Sequence, residues 1–164
     1  MILGSREFRI LPSSEKKFGC KPNLGIFSCP VVTSTPRTTV IDAVHAMDQE
    51  GIGAVAVMQD GILCGIFSER DVMLRVVLEH RDPKTTRMKE VMTSPVETIP
   101  RSATVDDALK HMLEKHIRHL PVVTRDGRLA GMISIRNLLH EKVEELTDQL
   151  DSLEAYFTAD GAGG

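Results

Sequence analysis

The chain has 164 residues, of which 41% are hydrophobic, and a formal net charge of −3. A chain of this length can bury one ordinary core or two small cores that share an interface, and no apolar run approaches the roughly 20 residues of a membrane-spanning helix. With no Trp, one Tyr and no basic excess, it lacks the stacking side chains and the positive face that nucleic-acid binding uses. We therefore expect a cytoplasmic globular protein that binds neither nucleic acid nor membrane.

The first residues, 1–24, carry charges within the first ten positions and no long apolar segment, so they do not resemble a secretory signal. Their apolar residues show no clear periodicity. Two alternatives therefore stay open for this segment: a loose arm, or a strand that completes a neighbouring sheet. The odd set of Cys20, Cys29 and Cys64 contains no CxxC pair and argues against both a disulfide framework and a zinc site.

One pattern occurs twice in residues 25–143, and such self-similarity organises the rest of the chain. The segment "TPRTTVIDAVHAMDQEGIGAVAVMQDGILCGIFSERDVM" aligns with "IPRSATVDDALKHMLEKHIRHLPVVTRDGRLAGMISIRNLL", so that Pro36 matches Pro100 and Gly65 matches Gly131. The predicted divisions are an amino-terminal extension, two repeats and a carboxyl-terminal extension: 1–24, 25–86, 87–143 and 144–164.

Each repeat predicts the order strand, helix, strand, strand, helix. In the first repeat, Val40, Ala43, Val44 and Met47 have helical spacing and predict an amphipathic helix. The β-rich segments "AVAVM" and "ILCGIF" then flank "DG", which is a hairpin turn signal that returns in the second repeat. Neither unit is large enough to be stable alone. We expect an α/β (α+β) fold in which two pseudo-symmetric repeats pack into one module.

Both repeats end their strand pair in a similar turn, "GIFSERD" and "GMISIRN". Ser68 followed by Asp71 nearly matches a capping box, which satisfies open backbone N–H groups at a helix start. The same helix start also suits phosphate, and an acidic side chain one turn later can accept the hydrogen bonds of a ribose diol. Capping and ligand binding are therefore compatible. In the second repeat, Ser134 and Asn137 occupy these positions.

The duplicated unit resembles a pair of cystathionine β-synthase (CBS) domains, whose signature is glycine, two apolar residues, Ser or Thr, two variable residues and Asp. The repetition, the "LPVV…DG…G" strand pair and the Ser-x-x-Asp turn together carry this resemblance over residues 25–143. It implies a regulatory module that binds AMP, ADP, ATP, NAD or S-adenosylmethionine in two clefts. Each cleft would combine the Ser-x-x-Asp turn of one repeat with the lead-in strand and first hairpin strand of the other.

By this resemblance, the first cleft would hold adenine between apolar side chains, the ribose at Asp71, and phosphates near the serine and the cations. Its residues would be Ile66, Ser68, Arg70, Asp71, Thr93, Val96, Ile117, Arg118 and His119.

The second cleft would be the weaker site or stay empty, because Asn137 replaces the carboxylate and hydrogen bonds to a charged acceptor are about twice as strong. Gly53 and Ala54 also stand where the first cleft has Arg118 and His119. Its residues would be Ser28, Val31, Ile52, Gly53, Ala54, Ile133, Ser134, Arg136 and Asn137.

No pattern indicates catalysis or a metal. The sequence contains no nucleophile elbow and no P-loop, and the flanks are too short for an active domain. His111, His116 and His119 do not have the spacing of a helical zinc pair. We expect no enzyme activity, no metal and no catalytic cofactor.

The carboxyl-terminal flank predicts a long helix with an apolar a/d pattern. Its apolar residues are Leu139, Val143, Leu146, Leu150, Leu153 and Phe157. The helix either lies on its own module or joins two copies, and we favour a homodimer formed through it.

These patterns favour a sensor of an adenosine-containing ligand whose state a partner protein reads. The alternative is a structural dimerisation or scaffold protein with vestigial clefts.

Overall fold

The computed structural model describes residues 9–11 and 31–160, with side chains for 31–157. The strands are β1 Arg9–Leu11, β2 Val31–Ser34, β3 Ala54–Gln59, β4 Ile62–Ser68, β5 Ile99–Pro100, β6 His119–Val123 and β7 Leu129–Ser134. The helices are α1 Val40–Glu50, α2 Glu69–Asp71, a π-helical segment Val72–Val77, α3 Met88–Val91, α4 Val105–Glu114 and α5 Ile135–Asp160. Cys20, Cys29 and Ser28 lie outside the described residues.

The strands form two sheets, with the orders β1-β2-β3-β4 and β5-β6-β7. In each repeat the lead-in strand runs parallel to the next strand, because a helix connects them, and that strand pairs antiparallel with the one after the turn. The predicted fold of two similar units with an extended last helix is confirmed.

Strand β1 adds a fourth strand to the first sheet. Arg9 pairs with Thr33 and Leu11 with Val31, both antiparallel. Part of the amino-terminal extension is thus a strand of its own chain's sheet. A strand of only three residues is too short for an alternating apolar pattern to predict it from the sequence.

The two "DG" turns differ in conformation. Asp60 and Gly61 have φ of 51° and 81°, as a two-residue hairpin turn with both central residues left-handed requires. In the second repeat only Gly127 has a positive φ, 78°, and the Thr124 N–H donates to the Arg128 carbonyl over 2.9 Å. The second turn is therefore wider than the predicted one.

Each repeat has its own apolar core, and a third cluster joins the two sheets. The first core centres on Val40, Ala43, Val55, Val57, Phe67, Met88 and Val91. The second core centres on Ala108, Met112, Leu120, Val122, Ile133 and Leu138. The joining cluster consists of Val31, Ala54, Ala56 and Met132, with Leu63, Ile66 and Leu129 packed against it. The two repeats therefore form one packed module.

The segment after β4 departs from a simple helix. Helix α2 continues as a π-helix, in which the Leu78 N–H donates to the Met73 carbonyl over 3.1 Å. Helix α3 follows, and its Met88 and Val91 are fully buried in the first core. These two residues pack with the first repeat although they follow the predicted boundary at 86/87.

Helix α5 extends 26 residues from the end of β7. Its first turn is anchored by Leu138, which is buried in the second core. Farther along, the Nζ atom of Lys142 lies 3.0 Å from a carboxylate oxygen of Asp106 on α4. Among the described residues, no helix has both the length and the apolar content that crossing a bilayer requires.

Candidate nucleotide clefts

The first Ser-x-x-Asp turn lies at the junction of β4 and α2. Ser68 has an extended backbone, and the Oδ2 atom of Asp71 accepts hydrogen bonds from its N–H over 2.9 Å and from its hydroxyl over 2.8 Å. The carboxylate therefore satisfies a backbone donor at the helix start, which is the capping role that the sequence suggested.

The lead-in segment of the second repeat covers this turn. Thr93 and Ile66 exchange backbone hydrogen bonds of 2.8 and 3.1 Å, and the Thr93 hydroxyl donates to Asp71 Oδ1 over 2.9 Å. Arg75 Nε lies 3.5 Å from the same oxygen. Asp71 is only 7% exposed, so its carboxylate is enclosed by donors of the protein itself.

The remaining residues of the predicted first cleft are spread around this turn. The Arg70 guanidinium donates to the His116 carbonyl over 2.7 Å, which ties it to the loop after α4. Val96 and Ile117 are half-buried, and Ile117 packs against the second core.

The second turn, at the junction of β7 and α5, repeats the geometry with neutral groups. The Ser134 hydroxyl donates to Asn137 Oδ1 over 2.9 Å and accepts from the Asn137 N–H over 3.3 Å. Asn137 is exposed, whereas the equivalent Asp71 is buried. The two turns thus differ in accessibility as well as in charge.

A cavity of about 940 Å³ lies between the repeats beside the second turn. It brings together every described residue predicted for the second cleft: Val31, Ile52, Gly53, Ala54, Ile133, Ser134, Arg136 and Asn137.

Two residues predicted for the first cleft, Arg118 and His119, line this second cavity. The pairing of Ala54 with Ser68 and of His119 with Ser134 confirms that positions 54 and 119 are equivalent. The side chain of His119 nevertheless lies on the wall shared with the other repeat. The second cleft therefore contains a cation, Arg118, and an imidazole, His119, that the sequence comparison assigned to the first.

Burial lowers the pKa of His119, and the charges of Arg118 and Arg136 act in the same direction, while the carboxylate of Glu69 opposes them. The imidazole is therefore held in its neutral form near pH 7, where it can both donate and accept hydrogen bonds. Among the described residues of the cavity wall, Arg118 and Arg136 carry the fixed positive charges.

Sequence reasoning missed two acidic residues on the same wall, Asp48 and Glu69. Glu69 directly precedes Arg70, and adjacent helical positions point about 100° apart. The turn thus directs Glu69 towards the second cavity and Arg70 towards the loop at His116. The variable positions of the Ser-x-x-Asp motif were the signal that could have identified Glu69.

Two side chains that the sequence analysis discounted as metal ligands, His111 and Cys64, have structural partners. His111 Nε2 lies 3.0 Å from Glu97, and the thiol of Cys64 donates to the Val57 carbonyl over 3.2 Å. Burial raises the pKa of that thiol, which favours the unreactive protonated form. Within the described part of the chain, no three His, Cys, Asp or Glu residues cluster as a metal site would need.

The doubled strand-helix-strand-strand-helix unit, with a similar turn after the strand pair of each repeat and a cavity between the repeats, defines a tandem two-repeat module. The CBS domain family model matches the chain twice, at residues 25–78 and 88–144. The chain therefore belongs to the CBS domain family.

Curated relatives share the two repeats. The chain is 34% identical over 127 residues to the mitochondrial CBS domain-containing protein CBSX3 of Arabidopsis thaliana, covering 74% of this chain and 61% of the relative. It is 32% identical over 110 residues to protein MK0525 of Methanopyrus kandleri, covering 66% of this chain and 56% of the relative. The chain thus spans less than two thirds of the length of these two relatives.

A solved structure shares the fold. The CBS domain protein PAE2072 of Pyrobaculum aerophilum, complexed with AMP, is 26% identical and superposes with a TM-score of 0.61, covering 67% of this chain and 84% of that one. The similarity supports the tandem architecture of the module.

Proposed function

We propose that the chain is a regulatory module that binds an adenosine-containing ligand between its repeats and performs no chemistry of its own. The observation that carries this proposal is the cavity of about 940 Å³, whose wall combines residues of both repeats. Its size falls within the range of about 300–1,000 Å³ typical of small-molecule sites. A ligand there would contact both repeats and favour the relative arrangement that it binds more tightly.

The side chains on the wall match the parts of a nucleotide. Val31, Ile52 and Ile133 offer apolar surface to an adenine ring, while the hydroxyl and amide of the second turn can hydrogen-bond a ribose. Arg118 and Arg136 suit a phosphate, because the planar guanidinium binds phosphate oxygens in pairs.

The charge on the wall favours a ligand whose phosphates carry few negative charges. Asp48 and Glu69 offset the two arginines, and His119 is held neutral, so the wall has little net positive charge for a triphosphate. We therefore rank AMP and NAD ahead of ADP and ATP. The AMP complex of the Pyrobaculum relative is consistent with this ranking.

We propose the second cleft as the main site, which reverses the ranking that the sequence suggested. The first-cleft carboxylate, Asp71, already accepts hydrogen bonds from Ser68 and Thr93. A ribose diol would have to displace protein donors in either turn, since the Ser134 hydroxyl donates to Asn137 Oδ1, but Asn137 is exposed at the second cavity whereas Asp71 is buried. The first cleft would therefore bind the same ligand more weakly.

The test is thermal unfolding of the full chain with AMP, ADP, ATP, NAD, S-adenosylmethionine and GTP. A ligand present at about 100 times its Kd adds roughly 2.7 kcal/mol to the free energy of unfolding. Arg136→Ala should abolish the shift caused by AMP, and the matched control Arg125→Ala, in the exposed β6–β7 turn, should retain it. A shift that Asp71→Ala removes and Arg136→Ala retains would instead assign the ligand to the first cleft.

The second candidate function, a structural scaffold, is favoured by the internal hydrogen bonds of Asp71. In a scaffold the Ser-x-x-Asp turn would only hold the repeats together through Thr93. Unchanged midpoints with every ligand at millimolar concentration would support the scaffold and reject the sensor.

A further inference from the structure

An AMP molecule bound as proposed would leave one side of the second cavity uncovered. Its groups would contact β2, Ile52, β7, Arg118 and the start of α5, but neither α1 nor the π-helical segment. The cavity of about 940 Å³ lies near the upper end of the range of about 300–1,000 Å³ for small-molecule sites. The uncovered part of the wall, the α1 lobe, consists of Val44, Met47, Asp48, Gly51, Val72 and Met73.

The α1 lobe is built mainly on one face of α1. Its first four positions are three, four and seven residues from the first, a spacing that places them along one side of a helix. Gly51 has a φ of 63° and ends the helix, and its N–H donates to the Asp48 carbonyl over 3.2 Å. The apolar side chains of the lobe that pack in the first core are Val44, Met47 and Val72. The lobe therefore has an apolar floor whose position the core fixes.

The edge of the α1 lobe favours a positive charge. Asp48 is exposed, and no cation among the described residues forms an ion pair with its carboxylate. The last turn of α1 contains no basic side chain, so the partial negative charge of the helix end adds to that of the carboxylate. Met73, which is 54% exposed, offers a thioether, and thioethers contact aromatic rings favourably. An aromatic ring that carries a positive charge suits this combination.

We propose that the α1 lobe is a subsite for a flat cationic ring that two phosphates join to the adenosine, as in oxidised NAD. The nicotinamide ring of NAD⁺ carries a positive charge, which reduction to NADH removes. Arg118 and Arg136 would hold the phosphates between the ring and the adenosine. The subsite rests on the proposed function, because the ring reaches the lobe only when the adenosine occupies the second cavity. The module would then distinguish the oxidised from the reduced dinucleotide.

S-adenosylmethionine carries a positive charge as well, but its cationic sulfur is attached directly to the adenosine. That sulfur would take the place of the phosphates, beside Arg118 and Arg136, where like charges repel. The α1 lobe therefore fits the more distant cation of the dinucleotide better. An Asp48→Asn variant that binds S-adenosylmethionine more weakly and NAD⁺ unchanged would overturn this assignment.

The first test is calorimetric titration of the full chain with AMP, NAD⁺, NADH and ADP-ribose, which has the same two phosphates but no nicotinamide. We expect NAD⁺ to bind about fivefold tighter than NADH, the ratio expected for one exposed ion pair beside a helix end, and tighter than ADP-ribose. If AMP binds but NAD⁺ and NADH have equal affinities, the subsite is rejected and the sensing function stands. If none of these ligands binds, both proposals are rejected.

The second test compares single variants in the same titrations. Asp48→Asn keeps the shape of the side chain and removes its charge, so the preference for NAD⁺ over NADH should disappear. The matched control is Glu50→Gln, which removes the same charge from an exposed position in the last turn of α1 away from the lobe and should retain the preference. A preference that survives Asp48→Asn would place the ring elsewhere and overturn the proposal.

The Met73→Ala variant tests the apolar contact of the ring without changing any charge. Because Met73 lies at the exposed rim, its truncation should leave the fold intact. NAD⁺ and NADH should both bind more weakly relative to ADP-ribose, since both contain the ring. An unchanged ratio to ADP-ribose would contradict a ring in the α1 lobe.

Discussion

The imidazole of His119 packs against the backbone of Gly53 across the boundary between the repeats. A Cβ atom at position 53 would lie 2.9 Å from Cε1 and 3.0 Å from Nε2 of His119, and 3.4 Å from Cδ of Glu69. Glycine at this position therefore leaves room for a side chain of the second repeat. Gly53 occupies the position equivalent to Arg118 in the other repeat. The sequence suggested that this difference removes a cation from the second cleft, but in the structure it provides space for the His119 ring.

Gly53→Ala should weaken ligand binding in the cavity strongly and lower the free energy of unfolding only slightly. The imidazole is the far end of a side chain and can rotate into the cavity, so we expect a loss of about 1 kcal/mol or less in the free energy of unfolding, at the low end for overpacking. The displaced ring should weaken ligand binding at least tenfold, measured by calorimetric titration with AMP. His119→Ala in the Gly53→Ala background should relieve the clash. A Gly53→Ala protein with unchanged AMP affinity would contradict this prediction.

His119 should make stability depend on pH. Burial lowers its pKa in the folded chain below the ordinary value of 6.5, so between these two pKa values the unfolded chain binds more protons than the folded chain. Stability therefore falls as the pH decreases through 6.5 towards the folded pKa, and is greatest above 6.5. Urea unfolding from pH 8 to pH 5 measures this slope.

His119→Gln should flatten the slope of stability against pH in that window. The control is His45→Gln, because His45 is exposed on α1 and its replacement should leave the slope as in the wild type. Equal slopes for all three proteins would show that His119 does not couple folding to protonation.

The sequence was sufficient for the architecture because the two repeats carry the same periodic signals. The helix containing Val40 and Ala43 and the strand pairs around the "DG" turns follow from local apolar spacing. The π-helical segment and α3 did not follow, because Met88 and Val91 enter a core built mainly by distant residues. Their burial is a tertiary effect that local propensity does not encode.

For the candidate site, the sequence predicted which positions are equivalent in the two repeats but not how the side chains pack. Aligning the repeats identified Asp71 and Asn137 as equivalent positions. The sequence could not show that Thr93 encloses Asp71 while Asn137 remains exposed, because that depends on how the lead-in segment crosses the turn. The direction of the His119 side chain likewise depends on packing between repeats and not on strand alternation alone.

Gly65 in the first "GIFSERD" motif should be intolerant of any side chain. A Cβ at this position would lie 2.3 Å from Sδ, 2.9 Å from Cγ and 3.2 Å from Cβ of Met92. The clash reaches the base of the Met92 side chain, which rotation alone cannot move away. We expect Gly65→Ala to cost about 1–3 kcal/mol, as overpacking in a dense region does, measured by urea unfolding.

The Met92→Ala variant provides the control for this clash. In a double-mutant cycle, Gly65→Ala should cost much less in the Met92→Ala background, since the contacting atoms beyond Cβ are gone. Additive losses would mean that Gly65 is needed for a reason other than room for Met92.

The equivalent Asp71 and Asn137 should differ sharply in their contribution to stability. Asp71→Ala removes the acceptor of Ser68 and Thr93 in a buried turn, and losing hydrogen bonds to a charged group typically costs about 1.5–3 kcal/mol. Asn137→Ala removes a neutral acceptor at an exposed turn, so we expect a loss of at most about 1 kcal/mol, as for a helix cap. Urea unfolding without ligand, at one fixed protein concentration, compares the two.

Asp71→Asn separates charge from shape in the same turn. The amide keeps one acceptor oxygen but cannot serve both the Ser68 and the Thr93 donors. The free energy of unfolding of Asp71→Asn should therefore lie between those of Asp71→Ala and the wild type. Losses of equal size for Asp71→Ala and Asn137→Ala would contradict the enclosure of the first carboxylate. In that case Asp71 would be as available to a ribose as Asn137, and the ranking of the two clefts proposed above would have to be reversed.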